Sequence, residues 1–294
     1  MPADPHPPVQ HVVALAGIEG RLPPEIATKA ETDGVAKAKQ DPFTLIALGV
    51  LGGAFIAFGA IFSNVALAGS QDMPFGIARV VSGLVFGVGL SLVLLGGAQI
   101  FTGDVLMVMA WASGRLSTLR VLRPWCLVWI GNLIGAVSVA ALVLLAGHHM
   151  FGGGLVGLKA LQTATAKSAL PFEQALLLGI LCNVLVCLAI WISLSSRIPA
   201  HRVLLTMLPV AAFAAAGFEH VVANMYFIPF GLLIKSQAAP EFWEAIHSSP
   251  ANFAGLSLAG LVKNLVAVTI GNFIGGAVLV AGAYWMLYLR PRPQ

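Results

Sequence analysis

The sequence predicts an all-α membrane protein with six transmembrane helices, arranged as an inverted repeat of two three-helix halves. Of the 294 residues, 58% are apolar and only 10% are charged, and the mean hydropathy is +0.90. Soluble domains carry charge on about 25% of their positions, so most of this surface must face lipid. Six nearly uncharged stretches each exceed the ~20 helical residues that cross a bilayer. A β-barrel pattern of alternating residues is absent, which leaves helices.

The first 42 residues differ from the rest because they are polar and rich in proline. They lack the basic-then-apolar order of a cleaved signal, so we expect residues 1–42 to stay cytoplasmic as a separate segment. Acidic residues precede basic ones between Glu25 and Lys39, which predicts a short amphipathic helix at the membrane surface. The channel domain is predicted at 43–290, followed by a cytoplasmic tail at 291–294.

The membrane topology follows from the apolar stretches and the arginines beside them. The predicted spans cover 43–67, 80–103, 124–147, 174–196, 203–234 and 264–289. An even number of spans puts both termini on one side of the membrane. That side should be cytoplasmic, because positive residues cluster in cytoplasmic loops. The relevant arginines are Arg115, Arg120, Arg123, Arg197, Arg202, Arg290 and Arg292.

A short motif relates the two halves of the chain. Ile-Gly-Asn-x-Ile-Gly occurs at 130–135 and again, 140 residues later, at 270–275. Halves of three spans each must insert with opposite orientation, which is the inverted repeat of many transporters and channels. Asn132 and Asn272 occupy equivalent positions in this repeat, and we predict that both have a structural capping role. Glycine spacings such as Gly131-xxx-Gly135 are typical of close packing between lipid-embedded helices.

Spans two and five carry a glycine followed by polar residues near their centres, which predicts that both helices are interrupted there. Glu219 and His220 would lie near mid-bilayer in span five, where an ionisable residue is costly and is a functional candidate by default. His220 either changes charge near neutral pH or remains neutral and holds the interruption together by hydrogen bonds. Thr102 either faces a small anion or satisfies its own helix carbonyl.

Other polar residues have two interpretations each. Asn183 and Asn224 either line a wet cavity or join helices, and Lys167 either attracts anions or marks the membrane interface.

The three cysteines show no metal-site or disulfide spacing, so no metal and no cofactor are predicted. A net charge of +4 without a basic patch argues against nucleic acid as a partner. No catalytic constellation is visible within the spans, which argues against an enzyme.

Several segments resemble the formate/nitrite transporter family, and in particular its bacterial formate channels. The resemblance extends from about Glu25 to Arg290. It is carried by Met-Pro-Phe-Gly at 73–76, Gly-Ala-Gln-Ile-Phe-Thr-Gly at 97–103, Gly-Phe-Glu-His-Val-Val-Ala-Asn-Met at 217–225, Pro-Glu-Phe-Trp at 240–243 and Val-Thr-Ile-Gly-Asn at 268–272.

This resemblance implies an aquaporin-like protomer in a homopentamer of the bacterial inner membrane, with lipid around it and one pore for a small anion in each protomer. It places His220 at the central pore histidine, Glu219 at the acid paired with it, and Thr102 at the threonine of the interrupted span. It matches Asn224, Asn183 and Lys167 to further pore positions. Two apolar constrictions beside the histidine are matched by Phe86, Leu90, Ile100 and Phe213.

The expected function is therefore pH-dependent permeation of a small monovalent anion, with formate first. Nitrite, hydrosulfide or another short monocarboxylate is an alternative substrate. Gln99 and Ala267 depart from the family pattern and leave the preferred anion open. A neutral-solute channel of the aquaglyceroporin type is a further alternative, although no paired Asn-Pro-Ala signature is present. An ammonium-type channel would need a second histidine within the spans.

Overall fold

The structure, a computed structural model, describes residues 20–291 of the chain. The predicted six-span, all-helical architecture is confirmed: helices with short 3₁₀ and π segments form the described part, and six are long and apolar enough to cross a membrane. The predictions for residues 1–19 and 292–294 lie outside the described residues. The helices are α1 Pro23–Ala38, α2 Pro42–Leu67, α3 Phe75–Leu95, α4 Phe101–Ala112, α5 Thr118–Leu145, α6 Leu155–Ala169, α7 Phe172–Leu194, α8 Pro199–Ala216, α9 Val221–Gln237, α10 Pro240–Ala245, α11 Leu258–Phe273 and α12 Ala283–Tyr288, with a π-helical stretch at Ile274–Gly282.

Helices α3 with α4, and α8 with α9, form the two interrupted spans. Helix α1 packs against α4 and α12, so both ends of the described chain lie on one side of the bundle, which we call the terminal side. Helices α6 and α10 lie on the opposite side, which we call the far side. Helix α6 was not predicted, because it is shorter than a membrane span and its small and polar residues make it too weakly apolar to resemble one.

The helix boundaries differ from the predicted ones mainly at charged residues. Helix α3 begins at Phe75 and includes Arg79, whereas the sequence prediction began the span after this charge. The guanidinium of Arg79 is accommodated because its Nε donates to the Ala215 carbonyl at 2.9 Å and its Nη2 donates to the Ala214 carbonyl at 2.8 Å. A guanidinium that donates to protein carbonyls can be accommodated within a membrane helix instead of ending it.

Glycines bring helix backbones into direct contact at equivalent places in the two halves. A Cβ added at Gly135 of α5 would lie 2.0 Å from the Val50 carbonyl oxygen of α2. A Cβ at the equivalent Gly275, in the π-helical stretch, would lie 2.2 Å from the Ile180 carbonyl oxygen of α7. Without a hydrophobic driving force between helices, such close backbone packing is a main source of cohesion in a membrane. The packing interpretation of these glycines is therefore confirmed.

The two halves are related by a pseudo-two-fold axis. Trp129 and Thr269 lie 140 residues apart, so they are equivalent positions in the repeat. Their side chains contact each other directly, with Nε1 of Trp129 donating to Oγ1 of Thr269 at 3.1 Å. Equivalent residues meet only where the axis that exchanges the halves passes between them, so the halves form an inverted pair with a central interface.

We expect Gly135→Ala to lower the melting temperature of the detergent-solubilised protein by about 5 °C or more, because the new methyl group would overlap a helix backbone that cannot move aside. Gly76→Ala is the matched control, since it lies in helix α3 and a Cβ there meets nothing within 4 Å. Equal melting temperatures for the two variants would contradict this packing argument.

Candidate functional site: the two helix breaks and His220

The first helix break lies between α3 and α4. Gly97 adopts φ +73°, a left-handed conformation that glycine tolerates well, and lets the chain turn back toward the membrane centre. The Phe101 N–H at the start of α4 donates to Oδ1 of Asn132 at 2.9 Å. The amide nitrogen of Asn132 donates to the carbonyls of Gly49 at 2.8 Å and Gln99 at 2.9 Å. One side chain therefore satisfies three backbone groups in and beside the break.

The second break repeats this arrangement between α8 and α9. Gly217 has φ +79°. The Val221 N–H donates to Oδ1 of Asn272 at 2.9 Å, and the Asn272 amide donates to the carbonyls of Gly179 at 2.8 Å and Glu219 at 2.9 Å. The capping role predicted for Asn132 and Asn272 matches this geometry contact by contact.

The breaks bring Thr102 and His220 together from opposite halves of the chain. Oγ1 of Thr102 lies 3.0 Å from Nε2 of His220. The Ala223 N–H donates to Nδ1 of the same ring at 3.2 Å, so Nδ1 is an acceptor. The neutral imidazole then carries its proton on Nε2 and donates it to Oγ1 of Thr102. This leaves the Thr102 hydroxyl proton free to donate to a third group.

Aromatic side chains lie beside the imidazole, and the other two predicted constriction residues are buried. Phe213 stacks on His220 with ring centroids 5.8 Å apart and an interplanar angle of 18°. Phe86 meets Phe213 edge to face, also at 5.8 Å. Leu90 and Ile100 are each 2% exposed. His220, itself 3% exposed, therefore has apolar neighbours and one hydroxyl, and no carboxylate within residues 20–291 forms an ion pair with it.

Lys167 and Glu219 form a buried ion pair beside the histidine. Nζ of Lys167 lies 2.6 Å from Oε1 of Glu219, and their side chains are 16% and 4% exposed. Oε2 of Glu219 accepts hydrogen bonds from the amides of Asn224 at 2.6 Å and Asn264 at 3.3 Å. Lys167 thus faces the site as half of a neutral pair, and Glu219 contacts the lysine and two amides instead of the imidazole.

The amides of Asn183 and Asn224 are engaged inside the protein. Asn224 donates to Glu219 and also to Oδ1 of Asn264 at 2.7 Å. Asn183 donates to the carbonyls of Thr102 at 3.1 Å and Asn272 at 2.6 Å, which ties the first break to the cap of the second. The sequence analysis did not single out Asn264; its only signal was an amide at the head of span six.

Two separate cavities approach the centre of the protomer. The far chamber, of about 480 Å³, reaches His220, Phe86, Phe213 and the Lys167–Glu219 pair from the far side. The terminal chamber, of about 330 Å³, is lined by the first break and by α1. Ile100 lies between Gln99, which lines the terminal chamber, and Thr102, which contacts His220. The two chambers share no lining residue, and neither Leu90 nor Ile100 lines either of them.

Helix α1 is fastened to the first break where it lines the terminal chamber. Nζ of Lys37 lies 2.5 Å from Oδ1 of Asp104, whose side chain is 1% exposed. The side-chain amides of Gln40 and Gln99 hydrogen-bond to each other at 2.5 Å. The sequence analysis found neither pairing, because 67 and 59 residues separate the partners and no spacing rule connects them.

A bilayer-spanning inverted repeat with two interrupted helices, a chamber on each side and a single imidazole between them is the architecture of a channel or transporter for a small solute. Comparison with known proteins gives the family. The family model described as "Formate/nitrite transporter" matches residues 24–286. The chain belongs to the formate/nitrite transporter family.

Several named relatives are similar over most of their length. "Formate channel FocA" of Escherichia coli (strain K12) is 44% identical over 270 residues, which cover 92% of this chain and 95% of the relative. "Formate channel FocA" of Haemophilus influenzae is 37% identical and covers 88% and 91%. A solved "Pentameric formate channel with formate bound" has a TM-score of 0.81 and 37% identity over 85% of this chain and 98% of that one. These relatives are channels, not enzymes.

We expect Asn272→Leu to destabilise the protein strongly, because Val221 N–H and the carbonyls of Gly179 and Glu219 would lose their partner where no lipid group can replace it. Each unsatisfied buried group costs about 1–3 kcal/mol. Thermal unfolding in detergent measures the loss. Asn252→Leu is the control, since the side chain of Asn252 is exposed and donates only to the Ser248 hydroxyl. A melting temperature for Asn272→Leu equal to that of the control would refute the capping role.

We expect Lys167→Gln to be more destabilising than the double variant with Glu219→Gln. The single change leaves a buried carboxylate without its cation, which costs about 3–5 kcal/mol, whereas the double change removes both charges. Melting temperatures of the wild type, the two single variants and the double variant form a complete cycle. Additive losses would show that the pair is not coupled.

Proposed function

We propose that this protein is a channel for small monovalent anions, with formate as the main substrate, and that it assembles as a homopentamer with one pore in each protomer. The names of its relatives, and its likeness to a solved channel that is pentameric and has formate bound, support this substrate and this assembly. We further propose a bacterial inner membrane location with both termini cytoplasmic. Arg115, Arg120 and Arg123 on the terminal side support that orientation through the positive-inside rule.

The observation that carries the proposal is the contact between Thr102 and His220, of which His220 lines the far chamber. It offers a free hydroxyl proton to an acceptor such as a carboxylate oxygen, beside a ring that can exchange a proton. Phe86 and Phe213 exclude water next to this pair. A hydroxyl and an imidazole surrounded by apolar groups suit a small acid that is about to lose its charge.

Energetics favour crossing as the neutral acid. Moving a bare carboxylate into an apolar constriction has an idealised cost of tens of kcal/mol. Protonating a carboxylate with a pKa of about 3.5 at pH 7 costs about 5 kcal/mol, at 1.36 kcal/mol for each unit of pKa. The substrate therefore passes Leu90 and Ile100 more easily as the protonated acid. This requires a proton donor on the side from which the anion enters.

In the proposed mechanism the anion enters the far chamber, where the positive N-terminal ends of α4 and α9 favour negative charge. Lys167, whose charge Glu219 offsets, lines this chamber as a further hydrogen-bond donor. The Thr102 hydroxyl donates to a carboxylate oxygen and orients the anion. His220 takes up a proton from water in the far chamber and passes one to the anion through the Thr102 hydroxyl, so the imidazole is neutral again when the neutral acid crosses the apolar constriction. Asn224 and Asn183 act through the groups that they hold, namely Glu219 and the Thr102 carbonyl.

We expect His220→Phe to reduce formate flux into proteoliposomes at pH 7 by at least about tenfold and to flatten its pH dependence, because general acid–base transfer contributes factors of about 10²–10⁴. The flux should be measured at two pH values, with nitrite, hydrosulfide and acetate in parallel. His201→Phe is the control, since this histidine is exposed and lines none of the described cavities.

Unchanged formate flux and an unchanged pH profile in His220→Phe would refute the role of the histidine. Greater wild-type flux of nitrite or hydrosulfide than of formate would reassign the substrate within the same family. Permeation of glycerol at a comparable rate would replace the anion proposal with a neutral-solute channel.

A further inference from the structure

The far chamber communicates with a second space that is closer to the protein surface. This outer recess, of about 340 Å³, is lined by the loop between α2 and α3 and by the start of α6. Four residues line both the recess and the far chamber: Leu67, Arg79, Lys159 and Gln162. A solute that moves from the recess toward His220 therefore passes these side chains first.

Arg79 is fixed at this passage by its own hydrogen bonds. Its Nε and Nη2 donate to the carbonyls of Ala215 and Ala214, at the end of helix α8. A cation is favoured there because the C-terminal end of a helix carries partial negative charge. The remaining nitrogen, Nη1, makes no hydrogen bond within residues 20–291. One edge of the guanidinium is thus held rigidly while the other has free donors.

Lys159 adds a second cation on the opposite wall, from helix α6. It is half-buried, and within the described residues its ammonium makes no hydrogen bond or ion pair. Burial lowers the pKa of Lys159, and the charge of the nearby Arg79 lowers it further. Two cations have therefore been brought together in a partly desolvated passage, an arrangement that repels unless an anion occupies it.

Arg79 and Lys159 differ from Lys167 in whether a carboxylate offsets their positive charge. The charge of Lys167 is offset by Glu219 at 2.6 Å. No carboxylate in residues 20–291 lies within salt-bridge distance of Arg79 or Lys159. The net positive charge at the mouth of the far chamber thus comes from the outer two residues.

We propose that Arg79 and Lys159 form a capture site for small monovalent anions in the passage between the outer recess and the far chamber. The inference rests on the proposed anion-channel function and adds a step to it. The free guanidinium edge and the ammonium supply hydrogen-bond donors for one carboxylate or nitrite group, and Gln162 adds a neutral amide. The site raises the local anion concentration before the anion reaches Thr102 and His220.

Lys159→Gln tests the proposal, because Lys159 makes no described hydrogen bond and its replacement removes charge without removing a structural contact. Formate flux into proteoliposomes should be measured against formate concentration at low salt and at about 1 M salt. We expect the half-saturating concentration to rise about threefold at low salt, with an unchanged maximal flux. The difference should disappear at high salt, where the screening length is about 3 Å.

Two further variants separate charge from other effects. Lys159→Arg keeps the charge and should behave like the wild type. Lys263→Gln is the matched control, because Lys263 is exposed and lines neither the recess nor the far chamber. Lys263 also lies on the far side, since the amide of the neighbouring Asn264 contacts the Lys167 carbonyl. A salt-independent effect, or an equal effect of Lys159→Gln and Lys263→Gln, would overturn the capture site.

A binding measurement distinguishes failure of this site from failure of the proposed function. The melting temperature of the detergent-solubilised wild type should rise with formate at low salt, and this rise should be smaller in Lys159→Gln. If the wild type carries no formate but shows this difference, the channel proposal fails and the capture site stands. If wild type and Lys159→Gln respond equally to formate, the capture site is refuted whatever the flux.

Discussion

A helix that is interrupted inside a membrane must find partners for every backbone group that the interruption frees, because lipid offers none. This protein meets that requirement with one asparagine in each half. Asn132 and Asn272 each accept a hydrogen bond from the first N–H of the helix after the break and donate two to carbonyls on and beside it. Because these caps fix the ends of α4 and α9, they also fix the positions of Thr102 and His220. The geometry of the central site therefore depends on two side chains that need not touch a solute.

Charge near the centre of the protomer is almost fully balanced. Asp104 is paired with Lys37 on the terminal side, and Glu219 is paired with Lys167 on the far side. The imidazole of His220 lies between these pairs with a hydroxyl as its polar contact, so it is the titratable group of the central site that has no fixed counter-ion. Arg79 and Lys159 are unbalanced, but they lie farther out, where an arriving anion can balance them. In the proposed mechanism, attraction of the anion and transfer of the proton thus take place in different parts of the passage.

Much of this arrangement could be predicted from the sequence, because it depends on local composition or on the repeat. Hydropathy located the six spans, glycines located the breaks, and the recurring Ile-Gly-Asn motif identified the caps. Pairings between distant residues could not be predicted, since no periodicity connects Lys37 to Asp104 or Asn264 to Glu219. Arg79 shows the same limit: the sequence prediction began a span only after its charge, whereas carbonyls of another helix accommodate that charge. Helix α6 was missed because a short helix of small residues has no membrane signal of its own.

The separation of the two chambers has a consequence for the cell that would contain this protein. The far chamber and the terminal chamber share no lining residue, so water that filled both would be interrupted at the centre of the protomer. Protons that hop along an uninterrupted chain of water would otherwise drain the electrochemical gradient that powers ATP synthesis. For the channel proposed above, such an interruption would insulate the two sides of the membrane electrically, so that many copies would not collapse the ion gradient across it.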